Sequence, residues 1–348
     1  MSDPNDRSPF WRGKRVLITG HAGFVGSNLV AALLDIEALP WGVDQVLSSP
    51  SLRALDARCP VNVADVSDLD QMTRILRDLR PDVVFHLAGM GHIADCHAAP
   101  YQAFAVNALG TVAVLEAVRR EVPRAVVVCA SSNHVYVGGL LGHSDARLRE
   151  EFRGQRRDQG FLHREVGALH AIDAYGSAKI AADLAVRCYR EAYGLRAAAV
   201  RHVNSYGPAD PHASHLITGA ILSCLGGKRP VLRSDGSAVK GYLHIFDVVN
   251  AYLTIAERID ELPGHAVNVA APACEASARE IAQEVMRVAG MDGEPEVLSQ
   301  DLSQQGYVER LDDSLIQSLG WFPRFGLRAG IADTYAWYQK MGGMAWLA

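Results

Sequence analysis

Two short stretches gather groups able to move protons. Ser131-Ser132-Asn133-His134-Val135-Tyr136 follows an apolar run, AVVVCA, and sets two hydroxyls, an amide and an imidazole within four positions. Tyr175-Gly-Ser-Ala-Lys179 places a phenol and an ammonium four residues apart, which on a helix is a single face. A free tyrosine ionises at about pH 10, too high for a base at neutral pH. A neighbouring cation stabilises the phenolate and lowers that value. Alone, a Tyr-x-x-x-Lys pair is as readily a helix-surface pair. It gains meaning if the polar run 131–136 lies at the carboxyl end of a parallel strand, where ligands bind in open α/β sheets.

The flanking sequence supplies such strands. RVLIT (15–19) is an apolar run ending at glycine, and SNLVAALLDI (27–36) has helical spacing. WGVDQVL (41–47) reads as a second strand, DLDQMTRILRDL (68–79) as an amphipathic helix, and PDVVFHLAG (81–89) as a third strand. Residues 103–121 read as a long helix, 125–132 as a fourth strand, 175–194 as a helix closed by Gly194, and 197–208 as a strand running into a turn. Alternation of this kind predicts an α/β fold, a Rossmann-type doubly wound parallel sheet. The expected division is a dinucleotide-binding domain over 1–200, with part of 241–260 returning to it. A smaller α/β substrate domain takes most of 201–348. The Arg- and Glu-rich segment 137–170 interrupts the rhythm, as an insertion or a lid near the site.

Gly20-His-Ala-Gly23-Phe24-Val25-Gly26 lies between the first strand and the first helix. Glycines let backbone approach a pyrophosphate, and a helix N-terminus favours its charge. Strand, glycines and helix in this order distinguish the motif from an empty tight turn. Asp44 follows 24 residues after Gly20. A carboxylate there accepts from both adenosine-ribose hydroxyls and repels a 2′-phosphate, so NAD is expected rather than NADP. Asp65 and Val66, after the run VNVA (61–64), are placed to meet the adenine.

Composition narrows the function class. Of 348 residues, 49% are apolar, enough for a sizeable core, and the net charge is −5. That balance argues against nucleic acid and membrane-surface partners. The six cysteines (Cys59, Cys96, Cys129, Cys188, Cys224 and Cys274) form no C-x-x-C pair and read as free thiols of a reducing compartment. The N-terminus is polar rather than signal-like, and no apolar run reaches the roughly 18 residues of a membrane span, so a cytoplasmic protein is expected. His92 with His97, and His212 with His215, lack a completing ligand set, so no metal is expected.

Taken together, TGHAGFVGS (19–27), FHLAG (85–89), Asn107 with GT (110–111), SSNHVY (131–136), YGSAK (175–179), RHVNSYGP (201–208), YLHIFDV (242–248), VNVA (267–270) and LGWFP (319–323) resemble the extended short-chain dehydrogenase/reductase family of nucleotide-sugar epimerases and dehydratases. The opening FWRGKRVLITGHAGFVGS and PSLRAL (50–55) look most like CDP-glucose 4,6-dehydratases. The resemblance implies an NAD-dependent enzyme acting on a nucleotide-diphosphate sugar. Tyr175 would remove the O4 proton as C4 gives up hydride, Ser132 would orient both, and Lys179 would tune Tyr175 and hold the ribose. Leu87, Ala88, Gly89 and Asn107 would form or support the cofactor site. Gly91, His92, Asn204 and Lys240 would meet the substrate, Lys240 standing where the family has a phosphate-binding arginine.

A 4-keto intermediate can be reduced from its other face, can lose the C5 proton and C6 hydroxyl, or can be released with NADH. In the dehydratases, an aspartic acid follows the serine and protonates the leaving hydroxyl. The next residue, glutamate or lysine, takes the C5 proton. Here these positions are Asn133, which cannot act as an acid, and His134, which can act as a base. A 4,6-dehydratase-like reaction in which His134 relays the proton is therefore the leading expectation. The alternatives are a 4-epimerase, a non-catalytic NAD-binding protein, or a sugar or uronate dehydrogenase, since a Ser-Ser-Asn-His run also resembles the uronate enzymes. Pairing of helices 103–121 and 175–191 between two copies would give a homodimer.

Overall fold

The computed structural model describes residues 7–136, 161–163, 165, 169, 171, 173–298 and 309–347. Its strands, in chain order, are β1 (Arg15–Thr19), β2 (Leu39–Asp44), β3 (Val61–Val63), β4 (Val83–His86), β5 (Val126–Ala130), β6 (Phe161–His163), β7 (Arg196–His202), β8 (Asn204–Tyr206), β9 (Val231–Leu232), β10 (Val239–His244), β11 (Ala266–Val269), β12 (Glu275–Ser277), β13 (Glu296–Val297) and β14 (Glu309–Leu311). Seven of them build one sheet in the order β3-β2-β1-β4-β5-β7-β11, parallel at every pairing. The chain runs outward from β1 to β3 and then returns to β4. The crevice between the carboxyl ends of β1 and β4 is therefore the topological switch point.

Strand periodicity divides the core. Val16 and Ile18 of β1, Phe85 of β4 and Val128 of β5 face one side, against Leu29 and Leu33 of the Phe24–Asp35 helix and Val248 and Tyr252 of the Ile245–Glu257 helix. Leu17, Val84 and Val127 face the other, against Met72, Leu76, Val114, Val118 and Val186. Burial on both faces explains the near-continuous apolar character of these strands. The Ile245–Glu257 helix and β11 both return to this sheet, so its C-terminal contribution extends beyond 241–260. The remainder forms a smaller mixed sheet, β12-β10-β8. Its Tyr206 and Tyr242 pack on Ile217, Ile221, Ile281, Val285, Ile331 and Tyr338.

Several boundaries differ from the sequence reading. The second strand covers Leu39–Asp44 rather than 41–47, because Leu39 and Pro40 pair with Arg15 and Val16; Leu47 lies outside the sheet and is exposed. Residues 197–208 are two strands in different sheets, β7 and β8. The helix expected over 103–121 begins at Pro100 and carries a π-helical turn at Ala105–Leu109. The Pro100–Glu121 segment is long and apolar enough to cross a bilayer, but 56% of its apolar window is buried inside the protein. Most of 137–170 lies outside the described residues; within it, β6 pairs in parallel with β14.

A buried ion pair joins three elements of the main sheet. Asp183, on the Ala174–Tyr193 helix, accepts from Arg201 Nη2 and Nε at 2.6 and 2.9 Å, from Ser131 Oγ at 2.7 Å and from His265 Nε2 at 2.9 Å. Burial alone would raise the Asp183 pKa, but these donors hold it far below the usual carboxylate range. Such a depressed acid contributes stability at neutral pH that is lost progressively as pH falls below about 4. Asp183→Ala leaves Arg201 buried and unpaired, and is expected to cost about 3–5 kcal/mol. Urea unfolding at pH 7 against pH 3.5 checks both statements: the loss should shrink at the lower pH. An unchanged midpoint in the variant would refute the role.

Candidate active site

The glycine loop sits at the switch point. Gly20 has φ +72°, and a Cβ there would lie 2.6 Å from the Ala88 nitrogen; one at Gly26 would lie 2.1 Å from the Gly20 carbonyl. Side chains are thus excluded where the loop meets β4 and the helix start. Gly23 caps the Phe24–Asp35 helix with no side-chain hydrogen bond, which leaves the first turn's N–H groups for an anion. Asp44 ends β2. Its Oδ2 accepts from Ala22 N at 3.2 Å and its Oδ1 from Gln45 N at 2.8 Å, so both oxygens are fixed and keep lone pairs for ribose hydroxyls. Asp65 Oδ1 is taken by the Ser67 N–H and hydroxyl at 2.9 and 2.7 Å. Val66 packs under Gly110. These residues fit a dinucleotide.

Residues 87–89 are set by a directed hydrogen-bond chain. Ala88 N–H donates to Thr19 Oγ1 at 3.3 Å, and Thr19 Oγ1 lies 2.7 Å from His86 Nδ1. His86 Nε2 lies 3.0 Å from Thr111 Oγ1, whose hydroxyl donates to the Asn107 carbonyl at 2.7 Å. The Thr111 link requires a proton on Nε2, and burial lowers the His86 pKa to about 3, so the ring is neutral with Nδ1 accepting from Thr19. The π-helical turn carries Asn107, whose side chain clamps Met90 through Nδ2 to O at 3.1 Å and N–H to Oδ1 at 2.8 Å. Such turns often mark functional positions. Leu87 is fixed by its N–H to Thr19 O at 3.0 Å, and Gly89 has room for no side chain against Asn107 Oδ1.

The proton-moving groups meet at the ends of β5 and β7. Asp173 caps the Ala174–Tyr193 helix by accepting from Gly176 N at 2.8 Å, which places Tyr175 and Lys179 on its first turns. Lys179 is buried and donates to Ala130 O at 2.9 Å; burial lowers its pKa to about 8. Tyr175 is half-buried. Burial raises its pKa, and hydrogen bonding with Ser132 acts against that rise. Ser132 Oγ also accepts from His134 N at 3.0 Å and donates to Asn133 Oδ1 at 3.3 Å. Asn133 Nδ2 in turn donates to Glu309 Oε1 at 2.9 Å. His134 Nε2 lies 3.0 Å from Asp173 Oδ2, and its ring centre is 5.6 Å from that of Tyr175. Burial would raise the Asp173 pKa, but His134 and Gly176 outweigh it and hold it low.

A cleft of about 810 Å³ opens over this group, lined among others by Gly91, Ser132, Asn133, Tyr175, His202, Asn204, Arg233 and Lys240. Among the described residues, Arg233 and Lys240 make no salt bridge and no carboxylate lines the cleft. Two cations in the cleft lining suit a diphosphate. Asn204 is tethered by its Nδ2 to Gly241 O at 3.1 Å. The structure thus brings together Gly91, Ser132, Asn133, Tyr175, Asn204 and Lys240. His92 and His134 are outside the cleft lining; His92 is partly exposed near Asp95. Among the described residues no group of three His, Cys, Asp or Glu side chains could hold a metal ion.

Sequence reasoning missed four participants. Asp173 had a local signal, an acidic residue just before a helix. Arg233 stands in a turn-like Arg-Ser-Asp-Gly stretch, and His202 lies within the noted RHVNSYGP run. Glu309 has no local signal, being 176 residues from Asn133.

Comparison with known proteins agrees with this geometry. A family model described as the NAD dependent epimerase/dehydratase family matches residues 16–270. A dTDP-glucose 4,6-dehydratase of Mycolicibacterium smegmatis is 29% identical over 93% of this chain and 93% of its own. A UDP-glucose 4-epimerase of the same organism is 30% identical over 94% of this chain and 99% of its own. The crystal structure of the Thermus thermophilus UDP-glucose 4-epimerase in complex with NAD superposes with a TM-score of 0.76 at 25% identity, covering 93% of this chain and 99% of that one.

Asp44→Ala is expected to weaken NAD binding at least about tenfold, since it removes a charge-assisted acceptor for ribose. NADP affinity should change little or improve, because the repulsion is gone. Fluorescence titration of the apo-protein with both dinucleotides reads this directly; equal losses for both would contradict the assignment.

Proposed function

The chain belongs to the NAD dependent epimerase/dehydratase family, and from that premise we propose that it is a 4-epimerase acting on a pyrimidine-nucleoside-diphosphate hexose. NAD is the cofactor, and when bound it supplies the hydride acceptor for C4. The relatives named for dTDP-glucose and UDP-glucose support the nucleotide class, and Arg233, Lys240 and Asn204 offer the contacts a diphosphate needs. Tyr175 takes the O4 proton as C4 is oxidised and returns it after reduction from the opposite face. Ser132 orients the 4-hydroxyl. Lys179 holds positive charge next to Gly89 and helps fix the ribose.

One observation carries the choice of epimerisation. The position beside Ser132, where the dehydratases have an aspartic acid, is an amide whose two ends are engaged by Ser132 and Glu309. No acid is thereby offered to the C6 hydroxyl at that point. A 4,6-dehydratase is the second reading, and the His134–Asp173 pair near Tyr175 supports it as a C5 base. The opening stretch resembling CDP-glucose dehydratases favours the same reading. The partner proposal is a second copy of this chain. Tyr101 and Leu109 are 85% and 60% exposed on the Pro100–Glu121 segment, and Leu184 is exposed on the Ala174–Tyr193 helix; covering them would brace the helices that carry Asn107, Tyr175 and Lys179.

Incubation with UDP-, dTDP- and CDP-hexoses in deuterated water, followed by NMR, separates the outcomes. Inversion at C4 without deuterium at C5 is expected. A new C6 methyl with deuterium at C5 would replace epimerisation by dehydration, and net NADH would mean a dehydrogenase.

The pH profile tests Lys179. Its ammonium persists below about pH 8 and is lost above it, so kcat/KM should decline on that alkaline side. Lys179→Met should remove this limb and lower kcat by roughly 10²–10⁴-fold. An alkaline limb that survives the substitution would assign it to another group.

A further inference from the structure

We propose that Glu309 is a positioning residue that fixes the direction of the Ser132 hydroxyl, and so limits its donation to the Tyr175 oxygen and keeps Tyr175 an effective base. The proposal rests on the reading of Tyr175 as the base. Glu309 is only 5% exposed and reaches the site from β14. Its Oε1 accepts from Asn133 Nδ2 at 2.9 Å, while Asn133 Oδ1 accepts from Ser132 Oγ at 3.3 Å. An amide has one donor end and one acceptor end, whereas an ionised carboxylate only accepts. Glu309 therefore selects one of the two orientations of Asn133. The opposite orientation would set Oδ1 against the carboxylate and the NH2 group against Ser132.

That selection has a consequence for the reaction. With Asn133 as found, Ser132 Oγ accepts from His134 N at 3.0 Å, and its proton is drawn towards Asn133 Oδ1 at 3.3 Å, which limits what it gives to Tyr175. Without Glu309, Asn133 is free to turn over, and the Ser132 proton, no longer shared with Oδ1, goes wholly to the Tyr175 phenolate. Such a bond stabilises the phenolate and so makes it a weaker base towards the O4 proton. Glu309 itself is braced from afar. β14 pairs in parallel with β6, with Glu309 opposite Phe161, and the next residue, Arg310, donates to Glu275 Oε2 at 2.8 Å. The interrupting segment 137–170 thereby acquires a role: its strand β6 holds the strand that bears the positioning carboxylate.

The test compares Glu309→Leu, which removes the acceptor, with Glu309→Gln, which keeps an acceptor oxygen in the same place. Glu309→Leu should lower kcat by on the order of tenfold to a hundredfold with KM nearly unchanged, and Glu309→Gln should recover most of the loss. A second readout needs no turnover. Ultraviolet difference titration of tyrosinate, referenced to Tyr175→Phe, should show Tyr175 ionising at lower pH in Glu309→Leu than in wild type or Glu309→Gln. Tyr175 is also faced by Lys179 one turn on, by Asp173, by Cys96 and by His134, none of which these variants change. Asn133→Ala breaks the same link without touching β14 and should give the same shift, so the proposal stays testable if Glu309→Leu fails to fold. Unaltered Tyr175 ionisation in both variants, or a glutamine variant as impaired as the leucine one, would overturn it. Wild-type protein inert towards every nucleotide hexose would defeat the proposed function instead, and the titration would still decide the role of Glu309.

Discussion

The site depends on one buried carboxylate. Asp183 follows Tyr175 and Lys179 at helical spacing, so the three form a stripe facing the end of β5. Lys179 holds Ala130 O, and Asp183 holds the Ser131 hydroxyl. The helix is thereby fastened to two consecutive residues of the strand exit, and Ser132, next along, lines the cleft. Arg201 fastens the same carboxylate to β7 and donates to Tyr136 Oη at 2.8 Å, which donates to Asn268 on β11 at 2.8 Å. Burying these charges is expensive, and an apolar cluster of similar volume could be as stable. What an apolar cluster could not do is fix rotational and axial register between helix and strand at hydrogen-bond precision, on which a Ser–Tyr pair relies.

A second network, independent of the first, serves the cofactor side. The chain from Ala88 through Thr19, His86 and Thr111 to the Asn107 carbonyl crosses between β1, β4 and the Pro100–Glu121 segment. Its proton order is unique because His86 stays neutral. It sets the backbone after β4, against which Gly20 is packed too closely for any side chain. The two networks converge at Gly89, bounded by Asn107 Oδ1 on one side and approached by Lys179 Nζ on the other. The dinucleotide loop and the Tyr175–Lys179 pair are thus positioned by two parts of the sheet that share Gly89 as a neighbour.

This arrangement explains what was legible in the sequence. The glycine loop, Asp44 and the Tyr175–Lys179 pair announce themselves locally, because their chemistry depends on spacing within one turn or one strand–helix junction. The fold class was equally plain, since doubly buried strands must be apolar throughout. Strand ends were less so. Asp44 closes β2 by capping backbone N–H groups, although the apolar pattern continues to Leu47. The break between β7 and β8 at Val203 is a change of sheet that alternation cannot register. The π-helical turn at Asn107 left no trace in periodicity. Above all, the partners of Asn133 and His134 were hidden. Asp173 was within reach of a capping argument, but Glu309 arrives from the far end of the chain, and a single sequence carries no sign of that meeting.

The pairing of Asn133 with Glu309 bears on which reaction the pocket favours. Were residue 133 an aspartate, two carboxylates would meet in a site where one is almost fully buried, and one would have to remain protonated. With asparagine that conflict does not arise, and the amide joins Glu309 to Ser132. The carboxylate then reaches the cleft only through Asn133 and is not itself among the residues that line it. On the proposed reading Tyr175 and Ser132 serve hydride exchange at C4, and residue 133 is an amide rather than an acid for elimination at C6. The same substitution that weakens the dehydratase reading therefore strengthens the geometry of the shared first step.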